Sequence, residues 1–378
     1  MTSDRPTRFD QHPLITLAAV ILLGVLTGSA VIFSIYRIGF APVEEEDILD
    51  AAFTYREASP VFHHGLSKNR SIDDATWGPI TYRLRTNSLG FRDAAIRRVP
   101  LKSDTYRILF MGDSFTEGIG VDYENTFVGL IGDTLRDRQV EVLNAAAVSY
   151  SPVIYWRKTK YLLETVGLNV DEVVVFLDIS DVRDETESYY LDEKENVQSR
   201  LFPDKETRKK ILERIREDRV VDSLSRYLKV LMDFSTGPVW ETGRWTVDPD
   251  LLDKHGRPGL ERMTLYMNRL KTLLESRGIK LTVAVYPWPV HVRENDRNSI
   301  QATYWGDWCR RHDVKFINYF PIFIGPDPEE SRSMIDLLFI PGDSHWSALG
   351  HELVARVFCQ RFLERPAFAG SAQNPADQ

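Results

Sequence analysis

Residues Arg107–Gly120 read RILFMGDSFTEGIG. Ile108 to Met111 form an apolar run that passes straight into Gly112, Asp113 and Ser114. Such a run, ended by turn residues, predicts a buried parallel strand with a sharp turn at its C-terminal end. In open α/β sheets that end of the strand is where sites lie. A serine there can be lifted out of the sheet and aimed at solvent. Asp and Ser are also ordinary turn and cap residues, so this segment alone leaves a plain helix cap open.

A second stretch, Pro341–His351, reads PGDSHWSALGH. Asp343 and His345 stand two apart, just before an expected helix from Trp346 to Phe362. Serine becomes a nucleophile only with a base in reach and a group to orient that base. Histidine is the natural base near neutral pH, and a carboxylate fixes its tautomer. Ser114, His345 and Asp343 therefore form a candidate catalytic set. His351 is the rival base, but its place inside the expected helix favours a structural role.

The two blocks together resemble the SGNH (GDSL-type) hydrolase superfamily: GDSFTEG early, and Asp343-Ser344-His345-Trp346 with Gly350 late. The Asp-x-His-Trp spacing is similar to the membrane-associated polysaccharide O-acetylation branch, whereas the commoner esterase pattern is Asp-x-x-His. TNSLGFRD (Thr86–Asp93), LNAAAVSYSP (Leu143–Pro152), VVVFLDISD (Val173–Asp181) and VYPWP (Val285–Pro289) add to the likeness, which spans Thr81 to Phe362. It implies an α/β fold: a three-layer α/β/α sandwich on a flavodoxin-like parallel sheet. It also implies an oxyanion hole at the Ser114 N–H, at the second-block glycine position (here Ala146) and at the third-block asparagine position (here Ser180). A hydroxyl is shorter than a carboxamide and also accepts, so the third donor departs from the pattern. Asp113, Asp178, Asp181 and Trp346, beside these motif residues, are candidates for a substrate groove.

The implied activity is a serine esterase or O-acyltransferase acting on acyl, above all acetyl, esters of a cell-envelope polysaccharide or glycan. A membrane-bound O-acyltransferase is a candidate partner, and no cofactor is implied. The alternative is a non-catalytic scaffolding or glycan-binding member of an envelope-modification complex.

Composition narrows the rest. The chain has 378 residues and a formal net charge of −8, which argues against nucleic acid because phosphate binding needs clustered positive charge. Its two cysteines, Cys309 and Cys359, make no disulfide framework. Both fall in expected helices and read as buried free thiols, with a Cys309–Cys359 bridge as the other option. No HExxH or Cys/His ligand spacing occurs. Adjacent His63 and His64 in a strand would point to opposite faces, so no metal site is expected. Gly118-Ile119-Gly120 lacks the further glycine or Gly-Lys-Ser/Thr that dinucleotide or P-loop binding requires.

Pro13 to Tyr36 carries no charge and is long enough for one transmembrane helix. Arg5 and Arg8 precede it, and positive residues favour the cytoplasmic side. Residues 1–12 then read as a cytoplasmic tail and 13–36 as a signal anchor in the cytoplasmic membrane, with the remainder on the periplasmic or extracellular side. A cleaved signal peptide ending near Gly28-Ser29-Ala30 is the competitor, but the apolar run continues past that point.

Residues 37–104 read as an N-terminal extension packed beside the core, with a strand near Tyr82 and Leu84 and a turn at Gly90. Arg85, Asn87 and Arg92 read as structural, with a groove as the lesser option. The hydrolase domain, 105–365, then alternates. Helices are expected at Asn125–Arg138 (apolar face Phe127, Leu130, Ile131, Leu135), Pro152–Val166, Leu260–Ser276 and Asn298–Arg311. Strands are expected at Val140–Ala146, Glu172–Asp178, Lys280–Pro287 and Lys315–Asn318. This alternation implies a parallel sheet with helices on both faces. A charged insertion at about 183–259, expected to be helical over Arg183–Asp222, is a candidate lid over the site. Trp240 and Trp245 could stack on sugar rings but are equally core residues. Residues 366–378 read as a disordered tail.

Overall fold

The computed structural model describes residues 55–77, 80–199 and 243–365. The expected anchor, most of the charged insertion with Trp240, and the C-terminal tail lie outside the described residues. Among the described residues no helix is long and apolar enough to cross a membrane.

Five parallel strands form the central sheet: β5 (Tyr106–Met111), β6 (Val140–Asn144), β7 (Glu172–Leu177), β10 (Lys280–Val285) and β11 (Lys315–Asn318). Their spatial order is β11-β10-β7-β5-β6. Strand β7 explains its own central place. Its EVVVFL run is buried at every position, as a strand covered on both faces requires. It lies between β5, with Ile108 beside Glu172, and β10, with Val285 beside Leu177.

The crossovers are made by helices α2 (Phe127–Leu135), α3 (Pro152–Tyr161), α4 (Arg257–Glu275) and α5 (Ile300–Arg311). The chain travels one way from β5 to β6 and the other way from β6 through β7 to β11. Right-handed crossovers therefore put α2 on one face of the sheet and α3 to α5 on the other. Helix α3 packs against α4, and α2 packs against the terminal helix α7 (Ala348–Leu363). Between β5 and β7 the direction of travel reverses, which opens a crevice at their carboxyl ends.

Several expected boundaries move for local reasons. Helix α2 ends at Leu135, and Arg136–Arg138 is a single 3₁₀ turn closed by Gln139 at φ 56°. Val128 joins the buried face in place of Leu130. The strand after β7's crossover stops at Val285, because Pro287 and Pro289 follow and Pro289–Arg293 turns helical. Helix α7 starts at Ala348 rather than Trp346, since the Ser347 hydroxyl accepts from Gly350 N and so caps it. Helix α6 (Pro328–Leu338), capped by Asp327, was not anticipated. The insertion is not helical throughout: after one turn at Asp184–Ser188 it forms the hairpin β8 (Tyr189–Leu191) and β9 (Val197–Ser199). Trp245 is buried and donates to Ile179 O at 2.9 Å. It is a core residue, with no face left for a sugar. Cys309 and Cys359 are both free and buried.

The extension forms two antiparallel hairpins, β1 (Arg56–Ser59) with β2 (His63–Leu66), and β3 (Ser71–Trp77) with β4 (Ile80–Arg85). They share a small core of Tyr55, Leu66, Ala75, Tyr82 and Leu84. The expected opposition of His63 and His64 does not hold. His63 has φ 74°, which turns its ring onto its neighbour, and the two Nδ1 atoms lie 2.7 Å apart. The His64 Nε2 meets Val148 O at 2.7 Å.

The extension is tied to the sheet by buried charges. Arg92 is 1% exposed and donates to the carbonyls of Glu117, Gly118 and Val121. Asn87 is equally buried and bonded to Asp93 at 2.9 Å, so neither residue lines a groove. Arg56 grips Glu117 through two bonds of 2.9 and 2.8 Å. Removing one member of a buried pair strands the other charge, which costs about 3–5 kcal/mol. Glu117→Gln should destabilise the fold by that order, read as a lower urea midpoint at an unchanged m-value.

Candidate active site

The turn after β5 is dictated by sterics. A Cβ on Gly112 would lie 2.1 Å from Thr116 Oγ1 and 3.3 Å from Phe176 O, so only glycine lets the chain leave the sheet at this angle. The following short helix, α1 (Ser114–Glu117), is capped by Asp113, whose Oδ1 accepts from Phe115 N at 3.0 Å. Gly118 closes it in the left-handed conformation, φ 84°. Ser114 is the first helical residue, so its backbone N–H has no intrahelical acceptor.

The late loop is a tight excursion between α6 and α7. Phe339 bridges Trp346, and Ile340 N donates to His345 O at 2.8 Å. Gly342, at φ 76°, makes the turn. This lays Asp343 and His345 over the end of β5. His345 Nε2 is 2.8 Å from Ser114 Oγ, and His345 Nδ1 is 2.6 Å from Asp343 Oδ1. The structure thus joins all three residues in one hydrogen-bonded line. The His345 backbone N–H also donates to Asp343 Oδ1, at 2.9 Å. Burial alone would push the Asp343 carboxyl up. The His345 ring and backbone N–H, joined by the Trp77 indole, outweigh it and hold the group well below the usual carboxylate range.

The implied oxyanion donors fare unequally. Ala146 N is directed at Asn144 Oδ1, 3.2 Å away. The Ser180 hydroxyl donates to Asp178 Oδ1 at 2.5 Å, and Ser180 N donates to the same atom at 2.7 Å. That hydroxyl is therefore spent on a carboxylate. The four groove candidates also change role: Asp113, Asp178, Asp181 and Trp346 are at most 4% exposed, and so lie beneath the surface. Trp346 packs among Phe115, Tyr286 and Phe323. Asp113 accepts from Tyr286 OH at 3.1 Å, Asp178 from Trp288 Nε1 at 2.8 Å, and Asp181 from Tyr155 OH. His351 is buried too, and its Nδ1 accepts from Phe127 N at 3.2 Å. Burial pushes it down to about 3, which leaves it a neutral acceptor at the start of α2.

Trp77, Tyr286 and Trp288 join the site without belonging to either motif block. The VYPWP stretch carried a signal for the last two. Nothing near Trp77 in sequence pointed to Asp343.

Beneath the site lies a set of buried acids. Burial, with the neighbouring Asp178 next in size, holds Asp113 and Asp181 well above the carboxylate range. Burial also pushes Asp184 and Glu185 to about 7. Glu185 Oε1 accepts from Ser151 Oγ and from Val153 N, while Oε2 has no hydrogen-bond partner among the described residues.

The chain is similar to several solved structures. One is described as a lipolytic protein of the G-D-S-L family from Desulfitobacterium hafniense DCB-2: 14% identity, 67% of this chain, 98% of that chain, TM-score 0.39. A second is the psychrotrophic esterase EstA of a Pseudoalteromonas species: 13% identity, 68% of this chain, 99% of that chain, TM-score 0.37. A third is a catalytic mutant of an acetylxylan esterase from Geobacillus stearothermophilus: 12% identity, 68% of this chain, 94% of that chain, TM-score 0.39. No family model and no curated protein matches the chain.

The Ser180 hydroxyl and the Glu185 carboxyl each set a measurable outcome. Removing a working oxyanion donor costs about 10²–10³ in kcat. Because its hydroxyl is spent on Asp178, Ser180→Ala should cost less than about tenfold in kcat on an ester substrate. The second concerns pH. Glu185 is raised to about 7 in the fold from an ordinary 4.5, so the folded chain keeps a proton that the unfolded chain has released. Its stabilising contribution is complete below 4.5 and is lost as pH rises through 7. Buried His64, His291 and His351, pushed down to between about 3 and about 4, slope the other way below pH 6.5, so the test is differential. Measured by urea unfolding at intervals from pH 5 to 8, Glu185→Gln should gain stability relative to the parent as pH rises.

Proposed function

We propose that this chain is a serine esterase or O-acyltransferase of the SGNH type. The observation that carries the proposal is the unbroken line Ser114–His345–Asp343, with contacts of 2.8 and 2.6 Å. In it, Ser114 Oγ attacks the ester carbonyl while His345 Nε2 takes the hydroxyl proton. Asp343 holds the ring with its proton on Nδ1, so that Nε2 is free to accept. The tetrahedral oxyanion faces the Ser114 N–H at the head of α1. Collapse returns the proton from His345 to the departing alcohol and leaves an acyl-serine. Water or a sugar hydroxyl then attacks, His345 again acting as base.

The substrate class is an acylated envelope glycan, on the strength of the Asp343-Ser344-His345-Trp346 spacing. The place of action is the outer side of the cytoplasmic membrane, on the strength of the uncharged Pro13–Tyr36 run and the arginines before it. In the transfer direction a membrane-bound O-acyltransferase is the proposed partner.

The commitments of Ser180 to Asp178 and of Ala146 N to Asn144 favour one second reading, a glycan-binding member of an envelope complex that no longer turns over. A fluorophosphonate probe separates the two. In the full-length chain it should label Ser114, and Ser114→Ala should abolish both labelling and hydrolysis of p-nitrophenyl acetate. His345→Ala should lower kcat by several orders of magnitude. Asp343→Asn should cost about 10⁴ by presenting the wrong tautomer, with the fold intact. An unlabelled parent, or equal labelling of the Ser114→Ala variant, sinks the enzyme reading.

A further inference from the structure

We infer that Trp77, in the N-terminal extension, is a positioning residue for the Asp343–His345 pair; this rests on the serine-hydrolase reading above. Trp77 is the last residue of β3, opposite Ile80 on β4. Its indole Nε1–H donates to Asp343 Oδ2 at 2.6 Å, across 266 positions of sequence. Its ring stands edge-on to the His345 ring, with centroids 5.0 Å apart and an interplanar angle of 80°.

The division of labour at Asp343 is what gives this contact a role. Oδ1 already serves His345 twice, through the ring and through the backbone N–H. Oδ2 serves Trp77. The last torsion of an aspartate is a broad, two-fold well, so one occupied oxygen leaves the carboxylate free to rock. Filling Oδ2 from a rigid indole pins that torsion, and with it the direction in which Oδ1 meets Nδ1. A hydrogen bond to a charged acceptor is also among the stronger ones available. The Asp343 side chain is 26% exposed, so without the indole Oδ2 would be left to solvent, which imposes no orientation.

His345 is steadied by aromatic contact as well. Phe115, the residue after the nucleophile, lies with its ring centroid 4.7 Å from that of His345. The extension grips the nucleophile's own helix through Arg56 and Arg92, so one and the same segment holds the serine and its base pair in register. β3 is otherwise a largely exposed strand.

Trp77→Phe separates orientation from packing, because it keeps an aromatic ring and removes the N–H. Loss of a hydrogen bond to a charged group corresponds to about 10–100-fold. In the full-length chain kcat for p-nitrophenyl acetate should fall by that factor in Trp77→Phe, with KM within about twofold. Trp77→Ala should be little worse. A folded Trp77→Phe with parental kcat, with Trp77→Ala alone impaired, overturns the proposal in favour of plain packing. A second measurement does not depend on the folding of either variant or on activity. With ¹⁵N-indole labelling, one of the eight tryptophan N–H signals should shift upfield in Asp343→Ala as the bond to the carboxylate is lost. No shift overturns the contact. A parent whose Ser114 resists fluorophosphonate sinks the hydrolase reading instead, and the indole signal still decides whether Trp77 holds Asp343.

Discussion

At the end of β5 there is no space for a side chain. Gly112 faces Thr116 and the carbonyl of Phe176 at distances that a methyl group could not share. The chain must turn there, and the residues that follow inherit the turn: Asp113 caps, Ser114 heads a one-turn helix, and Gly118 ends it. Everything described around the site is arranged about that projection. β7 presses from one side with a fully buried apolar run, and the late loop descends from the other. The crevice in which the serine stands exists because strands on its two sides lead away in opposite directions.

The extension belongs to this arrangement. Arg56 and Arg92 reach over the short helix and bind its side chain and carbonyls, while Trp77 reaches the loop that carries Asp343 and His345. A one-turn helix has few backbone bonds of its own and is marginal without outside support. The buried Arg92 guanidinium, which satisfies its terminal carbonyls, and Arg56, which holds the Glu117 carboxylate, supply that support. The same contacts make the extension a structural partner of the site rather than a spacer before it.

The floor beneath the site is unusually acidic. Asp113, Asp178, Asp181, Asp184 and Glu185 all come from two neighbouring strand ends and the turn after them. Burial of so many carboxyls is tolerable only where hydrogen-bond donors or protons meet them. Tyr155, Tyr286 and Trp288 supply the donors here. Ser180 is drawn into the same network, and its hydroxyl faces down into the acids.

Much was legible from the sequence alone. Apolar runs ending in turn residues marked β5 and β7 most plainly, because a strand buried on both faces must be almost continuously apolar. Their alternation with amphipathic stretches predicted a parallel sheet, since parallel strands require a crossover. Ser114, Asp343 and His345 were nameable because Ser114 sits in a Gly-Asp-Ser turn at the end of an apolar run, and because Asp343 stands two residues from one of only 8 histidines. What the sequence could not carry was the direction of each polar group. Ser180 and Asp178 are two residues apart, and only the folded turn decides that the hydroxyl points at its neighbour. His63 and His64 alternate on paper, yet one left-handed backbone angle brings their rings together. Trp77 gave no sign at all, because a contact across 266 positions is made by the packing of a hairpin against a loop. Sequence patterns report which face of an element is buried, through the periods of helix and strand. Which two elements meet, and through which atoms, is decided only when the whole chain has closed.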